Sequence, residues 1–520
     1  MSAACPDHVC TRVRQRTALW VALLLAAVLV GCASAPRGGP LQAGAPVDAC
    51  RRWYADLDEL VDRFKASDVQ DSRVQGFPQL RQSRFVASFR EQARLGDAAF
   101  DAWYAHMRAL GDAGTAVEVA NVPESGWQGV FPESGALARD KAISKTRACA
   151  GVLSEFDRSK PERRESLLDQ PGVPDNYSTL ARVLGLYAVT RWPFSAGVGR
   201  WQDETQAVFS GGSEASAVPV QRYVPGPAVA ADDLASALVL APRDALGVPL
   251  LSAAVKQRLL DGHAPVIALS PQGDFDRFGE MTLSPDGRAA VNPEKPVVYR
   301  RVAFTRFGGS TLVQLVYLYW FSERPKTGPF DLLGGALDGV MWRVTLDEQG
   351  EPLLYDSAHA CGCYHLFFPA PALRPKPSPE SGMEWAFMPA PAPRLAPGER
   401  VALTLAPRTH YLSAVSTTAD FSGRPYQSLP ASTLRSLPLG DSADHRSLYG
   451  ADGIVPGSQR GERYFFWPMG VRDAGAQRQW GHHATAFVGR RHFDDADLIE
   501  RRFERVDALP DPEEAGAVDH

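Results

Sequence analysis

The chain has 520 residues, a formal net charge of −5 at pH 7 and 45% hydrophobic residues. This acidic balance argues against a nucleic-acid-binding protein, because such proteins present a basic patch or stripe. The apolar content is ordinary for a globular protein, and the length allows two or three domains with a large core.

The N-terminal segment has the layout of a secretory signal peptide. Arginines precede an uninterrupted apolar run over residues 18–30, which is too short to span a bilayer comfortably. The run ends in residues 29–32, Leu-Val-Gly-Cys, a motif that resembles the lipobox of bacterial lipoproteins. In that family the signal peptide, here residues 1–31, is removed and the cysteine becomes the acylated N-terminus. The resemblance covers residues 1–32 only, and the alternative is an uncleaved anchor helix with an incidental cysteine.

The lipobox resemblance implies that the protein is located at the outer membrane. It implies acyl chains, palmitate among them, on Cys32, and Ala33 in place of aspartate implies sorting to that membrane. Several acyl chains, at about 0.8 kcal/mol per buried methylene, would hold the protein at the bilayer. Residues 33–46 have no aromatic or β-branched residue, so we expect Cys32 and this segment, residues 32–46, to form a tether. No later apolar run approaches spanning length, and we expect the remaining chain to face the periplasm.

Four cysteines follow Cys32, namely Cys50, Cys149, Cys361 and Cys363. In an oxidising compartment an even number of cysteines is first interpreted as disulfides. Cys50 and Cys149 both lie in helix-like stretches, and a bridge between them would stabilise the fold by roughly 4–5 kcal/mol on the chain-entropy model. We favour that pairing, and cross-pairing with Cys361 or Cys363 stays open.

Helical periodicity dominates the first part of the mature chain. Apolar residues recur at helical spacing, as in Leu57, Leu60 and Val61, so we predict a helical region over residues 47–205.

Within that region, residues 177–189 form a further amphipathic stretch that presents Leu180, Val183 and Leu184 and is expected to stop at the turn over 192–194. We interpret this stretch as a core helix rather than a membrane-surface helix, because its polar face lacks a cluster of lysine and arginine.

A linker or mixed segment is expected over residues 206–264, where small residues and proline interrupt any steady period. Beyond it the pattern is typical of strands. Residues 311–321 are apolar on both faces, which predicts a central, doubly covered strand after a hairpin turn at 307–310. Residues 340–346 alternate and are followed by a turn at 347–350.

The remaining segments complete a β-rich domain over residues 265–520. Further strands are expected at 401–405, 410–416 and 464–467, and a C-terminal helix is expected with Asp494 as its N-cap. The predicted fold class is therefore α+β, with an N-terminal helical region followed by a mainly antiparallel C-terminal β-rich domain.

The densest chemistry lies at residues 359–365, His-Ala-Cys-Gly-Cys-Tyr-His. If this segment is a strand, side chains alternate and two imidazoles and two thiols share one face. These four candidate metal or redox residues are His359, Cys361, Cys363 and His365. Thiolate and imidazole ligands suit a transition metal, zinc above all.

One tetrahedral ion cannot be reached by four alternate residues of a flat strand, whose side chains stand roughly 6.5–7 Å apart. Two of them would therefore act with residues from elsewhere. Candidates for the additional ligands are His482 and His483. Only one of them can face such a site, because adjacent strand residues point in opposite directions.

Three alternatives to a metal stay open. The residues could pack in the core or pair as structural disulfides with Cys50 and Cys149. Cys361 and Cys363 could form an easily reduced disulfide, since the glycine between them lets the backbone bend. A cysteine could act as a nucleophile, with His359, His365 or His482 as the base and Asp356 as the orienting carboxylate.

The common nucleotide, serine-hydrolase, zinc-protease and haem motifs are missing from the sequence. We therefore expect an outer-membrane-anchored periplasmic lipoprotein, a binding or structural envelope protein with a metal or a disulfide at 359–365. The alternative is a metal- or thiol-dependent periplasmic hydrolase that uses the same residues. The membrane, through the lipid anchor, is the expected partner.

Overall fold

The computed structural model describes residues 44–211, 220–226 and 231–506. The chain divides into a first unit, Met1–Ala49, and a second compact unit, Cys50–His520, to which nearly all of the described residues belong. The signal peptide, the lipobox with Cys32 and most of the expected tether lie outside the described residues. In the part that is described, no helix combines the length and hydropathy needed to cross a membrane.

The helices lie mainly in the first half of the chain. They are α1 (Ala45–Arg63), α2 (Arg84–Ala87), α3 (Arg90–Ala93), α4 (Asp97–Asn121), α5 (Glu124–Trp127), α6 (Gly135–Ser159), α7 (Pro161–Leu168), α8 (Thr179–Leu184), α9 (Tyr187–Ser210), α10 (Ala231–Val239), α11 (Ala253–Gly262), α12 (Arg463–Phe466) and α13 (Leu498–Arg502). Short 3₁₀ helices lie at Asp274–Asp276, Ala431–Arg435 and Trp467–Met469.

Strands dominate the second half of the chain. They are β1 (Ser72–Val74), β2 (Phe77–Gln82), β3 (Gln221–Val224), β4 (Val266–Leu269), β5 (Glu280–Leu283), β6 (Ala289–Asn292), β7 (Val297–Phe307), β8 (Ser310–Arg324), β9 (Gly335–Leu346), β10 (Pro352–His359), β11 (Leu366–Pro369), β12 (Leu373–Pro375), β13 (Arg400–Leu405), β14 (Leu412–Thr418), β15 (Arg424–Pro425), β16 (Gln427–Pro430), β17 (Leu437–Pro438), β18 (His445–Arg446) and β19 (Phe503–Arg505).

Two larger sheets organise these strands. The first has the order β11-β10-β9-β8-β7-β16 and is antiparallel except for the β16–β7 pair. The second has the order β14-β13-β4-β3-β15 and is mixed. The N-terminal helices followed by these mainly antiparallel and mixed sheets confirm the predicted α+β class.

The main hydrophobic core lies between the two larger sheets. Side chains of the first sheet, such as Tyr317 and Trp342, are fully buried in the same cluster as Ile267 and Leu403 of the second. A separate cluster that includes Trp320 and Met341 covers the opposite face of the first sheet.

The central position of β8 explains its sequence. All residues from 311 to 321 are buried, which confirms the prediction of a doubly covered strand, and the chain turns between Phe307 and Ser310 as expected.

Cys50 on α1 and Cys149 on α6 form a disulfide with their Cα atoms 5.0 Å apart. This confirms the favoured pairing and leaves Cys361 and Cys363 as free thiols. The bridge closes a loop with a sequence separation of 99 residues, and chain entropy gives it a stabilising contribution of about 4–5 kcal/mol.

Three local predictions are wrong. Residues 464–467 form the end of helix α12 and the start of a 3₁₀ helix rather than a strand. The C-terminal helix begins at Leu498, with Asp497 rather than Asp494 at its N-cap position. Helix α9 continues through Pro193 to Ser210 instead of stopping at 192–194, since a proline removes one hydrogen bond but does not oblige an exposed helix to end.

Candidate functional site

The His/Cys segment is a hairpin loop and not a strand. β10 ends at His359 and β11 begins at Leu366, and the two strands are antiparallel neighbours. The prediction of one extended segment over 359–365 is therefore wrong. Gly362 and Tyr364, with φ values of 92° and 61°, reverse the chain. We call residues 360–365 the thiol hairpin.

Gly362 is required at the tip of the thiol hairpin. A Cβ atom built there would lie 2.2 Å from the carbonyl oxygen of Ala484. Its positive φ would also strain any other residue. The strand pattern could not reveal this turn, because the alternation of His and Cys persists in the sequence whether the backbone runs straight or bends at the glycine.

The two histidines of the segment bind aspartates on opposite faces of the first sheet. His359 Nδ1 lies 3.4 Å from Oδ1 of Asp338, and His365 Nε2 lies 2.9 Å from Oδ2 of Asp356. Asp356 and His359 are three residues apart on β10, so their side chains point to opposite faces. Each imidazole bonds a buried aspartate rather than a thiol, an arrangement that does not favour a Cys–His nucleophile.

Asp338 is the centre of a buried charge cluster beside the thiol hairpin. It is fully buried and lies 2.9 Å from Nδ1 of His410 and 3.1 Å from Nη2 of Arg460. Burial alone would raise its pKa, but His359 and Arg460 hold the pKa well below the usual value. Asp338 is therefore a carboxylate that anchors three cationic or neutral partners.

The pKa values of His410 and His359 shift in opposite directions although both residues contact Asp338. Burial lowers the pKa of His410, but hydrogen bonds to Asp276 and Asp338 outweigh burial and raise the pKa above its ordinary value. Burial dominates at His359 and lowers its pKa. The protonated form is therefore more favoured at His410 than at His359.

The thiols of the hairpin are close and chemically different. Cys361 is buried and Cys363 is half-buried, and the Cys363 amide donates to Cys361 Sγ at 3.4 Å. Burial would raise the pKa of Cys361, but a hydrogen bond from Cys363 and the charge of Arg460 lower it. The same hydrogen bond, followed by burial, raises the pKa of Cys363. Cys361 is therefore the thiol that ionises first.

The hairpin forms one wall of a cavity of about 520 Å³. We call it the aromatic cavity, because eight phenylalanine, tyrosine and tryptophan side chains line it. The lining residues are Pro193, Phe194, Gly197, Val198, Trp201, Gln202, Glu204, Leu333, Cys363, Tyr364, His365, Glu384, Trp385, Phe387, Tyr411, Glu462, Phe466, Phe487 and Arg491. Its volume lies in the range of small-molecule binding sites.

A few polar groups converge on this apolar space. Glu462 is buried, and burial raises its pKa to about 7 against the opposing charges of Arg460 and Arg324. Arg324 donates to the hydroxyl of Tyr411 at 3.0 Å. Glu384 accepts from the amides of residues 487 and 488 at 2.6 and 3.0 Å. At neutral pH Glu462 is partly protonated, so it can donate as well as accept a hydrogen bond.

Backbone strain is concentrated at the same place. Tyr364 and His410 have φ values of 61° and 54°, and Leu337, next to Asp338, has a φ of 59°. Left-handed conformations of bulky residues cost on the order of 1–3 kcal/mol and cluster at functional sites. The strain holds Tyr364 in the cavity wall, where its ring lies 4.5 Å from that of Tyr411 and 5.4 Å from that of Trp201.

His482 and His483 lie close to the hairpin in space, next to Ala484, but their rings point to other partners. Ala484 contacts the hairpin at Gly362, yet His482 Nε2 lies 2.7 Å from the carbonyl oxygen of Val69. His483 lines a different cavity of about 30 Å³, and burial holds its pKa well below the usual value. Among the described residues, no three His, Cys, Asp or Glu side chains are grouped to hold a metal ion.

The sequence pattern missed most of this site. Trp201 and Phe194 come from helix α9, and Glu462 and Arg460 come from a loop more than 90 residues beyond the hairpin. One signal was present in the sequence. Asp338 stands in a mostly apolar strand whose other charged residue is Arg343, and a carboxylate at a core position needs cationic partners.

No protein-family model, curated protein or solved structure matches this chain. The chemistry of the aromatic cavity and its wall is therefore the basis for assigning a function.

Proposed function

We propose that this chain is an outer-membrane lipoprotein, anchored through an acylated Cys32 and facing the periplasm, and that it binds a small, largely apolar molecule. The observation on which the proposal rests is the aromatic cavity. Ligand sites are typically concave, mostly apolar and supplied with a few polar groups that set orientation, and the lining of this cavity has that composition.

The polar groups in the cavity wall indicate which chemical groups the ligand must carry. Glu462, with a pKa of about 7, and Tyr411 belong to a lining that is mostly aromatic and apolar. A ligand with one hydrogen-bonding group and an apolar body would satisfy both parts of the surface. Three glutamates and one arginine line the cavity, namely Glu204, Glu384, Glu462 and Arg491. Because the carboxyls outnumber the guanidinium, the lining favours a neutral polar group over a negative one.

Displacement of a dye from the aromatic cavity tests the proposal. The probe is N-phenyl-1-naphthylamine, a neutral apolar fluorophore. Val198 on α9 lines the cavity, so Val198→Trp should fill part of it and weaken dye binding by about tenfold or more. The measurement is a fluorescence titration of the purified protein.

Val208 provides the matched control, because it lies on the same helix but is 51% exposed and outside the cavity lining. Val208→Trp should leave the titration unchanged. Equal dye affinity in the two variants, or no dye binding at all, would overturn the proposal.

Zinc at the thiol hairpin is a separate prediction. Thiolates of Cys361 and Cys363 would supply two soft ligands, and further ligands would have to come from outside the groups that the described structure brings together. Metal analysis of protein purified under reducing conditions should find stoichiometric zinc if the prediction holds. Zinc content unchanged by a Cys361→Ser/Cys363→Ser variant would contradict it.

A further inference from the structure

An exposed apolar face lies outside the aromatic cavity. Six of its side chains belong to α8, α9 and the two-residue connection between them, with 53–69% of each exposed: Leu180, Val183, Leu184, Leu186, Val189 and Trp192. The prediction that residues 177–189 form a core helix is therefore wrong. Single exposed apolar residues are normal, but a contiguous group marks an interaction surface.

The 463–467 segment extends the same face. Tyr464, Phe465 and Trp467 are 66%, 59% and 43% exposed. This segment packs directly on α8 and α9, because the amide of Ser178 donates to the carbonyl of Gly470 at 2.7 Å and the ring of Phe194 lies 5.3 Å from that of Phe466. We call these nine exposed side chains the apolar face.

The segment that forms most of the apolar face is positively charged in an acidic protein. From residue 178 to residue 201 the sequence contains Arg182, Arg191 and Arg200 and no aspartate or glutamate, whereas the whole chain carries −5. Arg191 is paired with Glu380, but Arg182 donates to backbone carbonyls of residues 469 and 489. Arg200 is exposed on α9. The local excess of positive charge complements an anionic surface.

The backbone that carries the apolar face is strained at one residue and forms a helix without any fully buried side chain. Leu186 has a φ of 50°, a conformation that a leucine rarely adopts, and 67% of its side chain is exposed. None of the 24 residues of α9 is fully buried. Trp201 and Phe209 of α9 pack against the main core, whereas the six apolar side chains from Leu180 to Trp192 lie outside that core. Packing among the described residues therefore leaves this face uncovered.

We infer that the apolar face docks on a phospholipid bilayer with anionic headgroups, an inference that rests on the proposed lipid anchor for its choice of a membrane. Aromatic and aliphatic side chains would enter the interface, and Arg200, the exposed arginine of this segment, would contact headgroup phosphates. A second copy of this chain is a poorer occupant, because a two-fold interface would bring the same positive segment of both copies together.

The same elements line the aromatic cavity. Phe194 and Val198 of α9 and Phe466 of α12 face the cavity, while Val189, Trp192 and Phe465 belong to the apolar face. Docking would therefore bring the cavity-lining helices to the lipid surface. An apolar ligand, such as a lipid acyl chain, would then pass from bilayer to cavity without crossing open water.

Vesicle flotation of the mature chain from residue 32 onward, with Cys32→Ser to remove the acylation site, tests this inference. Wild-type protein should bind vesicles that contain phosphatidylglycerol more tightly than vesicles of phosphatidylcholine alone. Leu184→Asp/Val189→Asp should lower binding by about tenfold or more. Two apolar side chains that would be buried in the lipid interface on docking are replaced by charged ones. Arg200→Gln should lower binding to the anionic vesicles by about fivefold.

Leu95→Asp/Leu240→Asp is the matched control, since these leucines are 85% and 81% exposed and lie outside the apolar face. It should bind like wild type. Equal loss in both double variants, or no flotation, would overturn the inference. Sedimentation that shows a dimer lost only in Leu184→Asp/Val189→Asp would overturn it in favour of a second copy. Dye binding retained in that variant would show that the cavity proposal stands separately.

Discussion

At the residue scale, Glu462 is a group in the cavity wall whose charge changes near neutral pH. Its folded pKa of about 7 lies above the ordinary value of 4.5 because burial disfavours the charged form. The folded state therefore holds this proton more tightly than the unfolded state. The stability associated with the protonated group is full below about pH 4.5 and is lost as the pH rises through about 7.

This sign gives a prediction for Glu462→Gln. Between pH 4.5 and 8 the free energy of unfolding of the wild type should fall by up to roughly 3 kcal/mol more than that of the variant, which cannot ionise. The stability of the variant relative to the wild type should therefore rise between pH 4.5 and 8. Denaturant titrations across this pH range measure the difference.

Glu59→Gln serves as the control, because Glu59 is 72% exposed and pairs with Arg63 one helical turn away. A surface pair of this kind contributes little, so its pH profile should follow the wild type. Parallel profiles for wild type and Glu462→Gln would show that burial of Glu462 does not perturb its ionisation.

At the element scale, the β10–β11 hairpin decides where the thiols lie. A straight strand would have spread Cys361 and Cys363 along one face, whereas the bend at Gly362 brings the Cys363 amide onto Cys361 Sγ. The hairpin also places Tyr364 in the aromatic cavity. One glycine therefore couples the thiol pair to the cavity wall.

Gly362→Ala should destabilise the fold by about 3 kcal/mol or more. The new Cβ atom would meet the carbonyl oxygen of Ala484 at 2.2 Å, and the φ of 92° would be strained in addition. Denaturant unfolding measures the cost. The same variant should weaken dye binding, because the thiol hairpin would shift in the cavity wall.

Gly129→Ala separates the clash from the strain. Gly129 has a similar φ of 84°, but a Cβ atom there has no neighbour within 4 Å. Its substitution should cost only about 1 kcal/mol, the price of the backbone conformation. Similar losses in the two alanine variants would mean that the contact with Ala484 relaxes freely.

At the scale of the whole molecule, a buried ion network joins the helical region to the β-rich region. Asp68, which is buried, lies 3.0 Å from Nη1 of Arg81 in β2 and accepts from Nε of Arg435 at 3.0 Å and from the Gln479 amide at 3.1 Å. These partners come from distant parts of the second compact unit, Cys50–His520. Their coupling predicts that helices and sheets unfold together.

Asp68→Asn should lower the free energy of unfolding by roughly 3–5 kcal/mol, because Arg435 keeps its buried charge and loses its carboxylate. Thermal unfolding should remain a single transition at a lower midpoint. Circular dichroism of the helices and tryptophan fluorescence measure the two regions separately.

Asp58→Asn is the surface counterpart, since Asp58 and its partner Arg73 are both 42% exposed. It should cost at most about 1 kcal/mol. Two separate transitions in either protein would contradict the view that the network makes the described structure one cooperative unit.

The sequence alone was informative wherever local periodicity and chain order decide the outcome. Helical spacing at Leu57, Leu60 and Val61 predicted a buried helix face, and the apolar run at 311–321 predicted a central strand. The spacing of Cys50 and Cys149 favoured their disulfide. The signal peptide and Cys32 remain predictions, because they lie outside the described residues.

Only the tertiary structure decided which groups share a site. Periodicity says which face a side chain occupies, but not what lies opposite, so Glu462 and Trp201 could not be assigned to the cavity from their own segments. The pattern that predicted a core helix over 177–189 belongs to two helices, α8 and the start of α9, whose apolar side chains face outward. A hydrophobic stripe in the sequence indicates a surface that is more stable out of water. Only the packing of the remaining chain shows whether the protein buries that surface within its own fold.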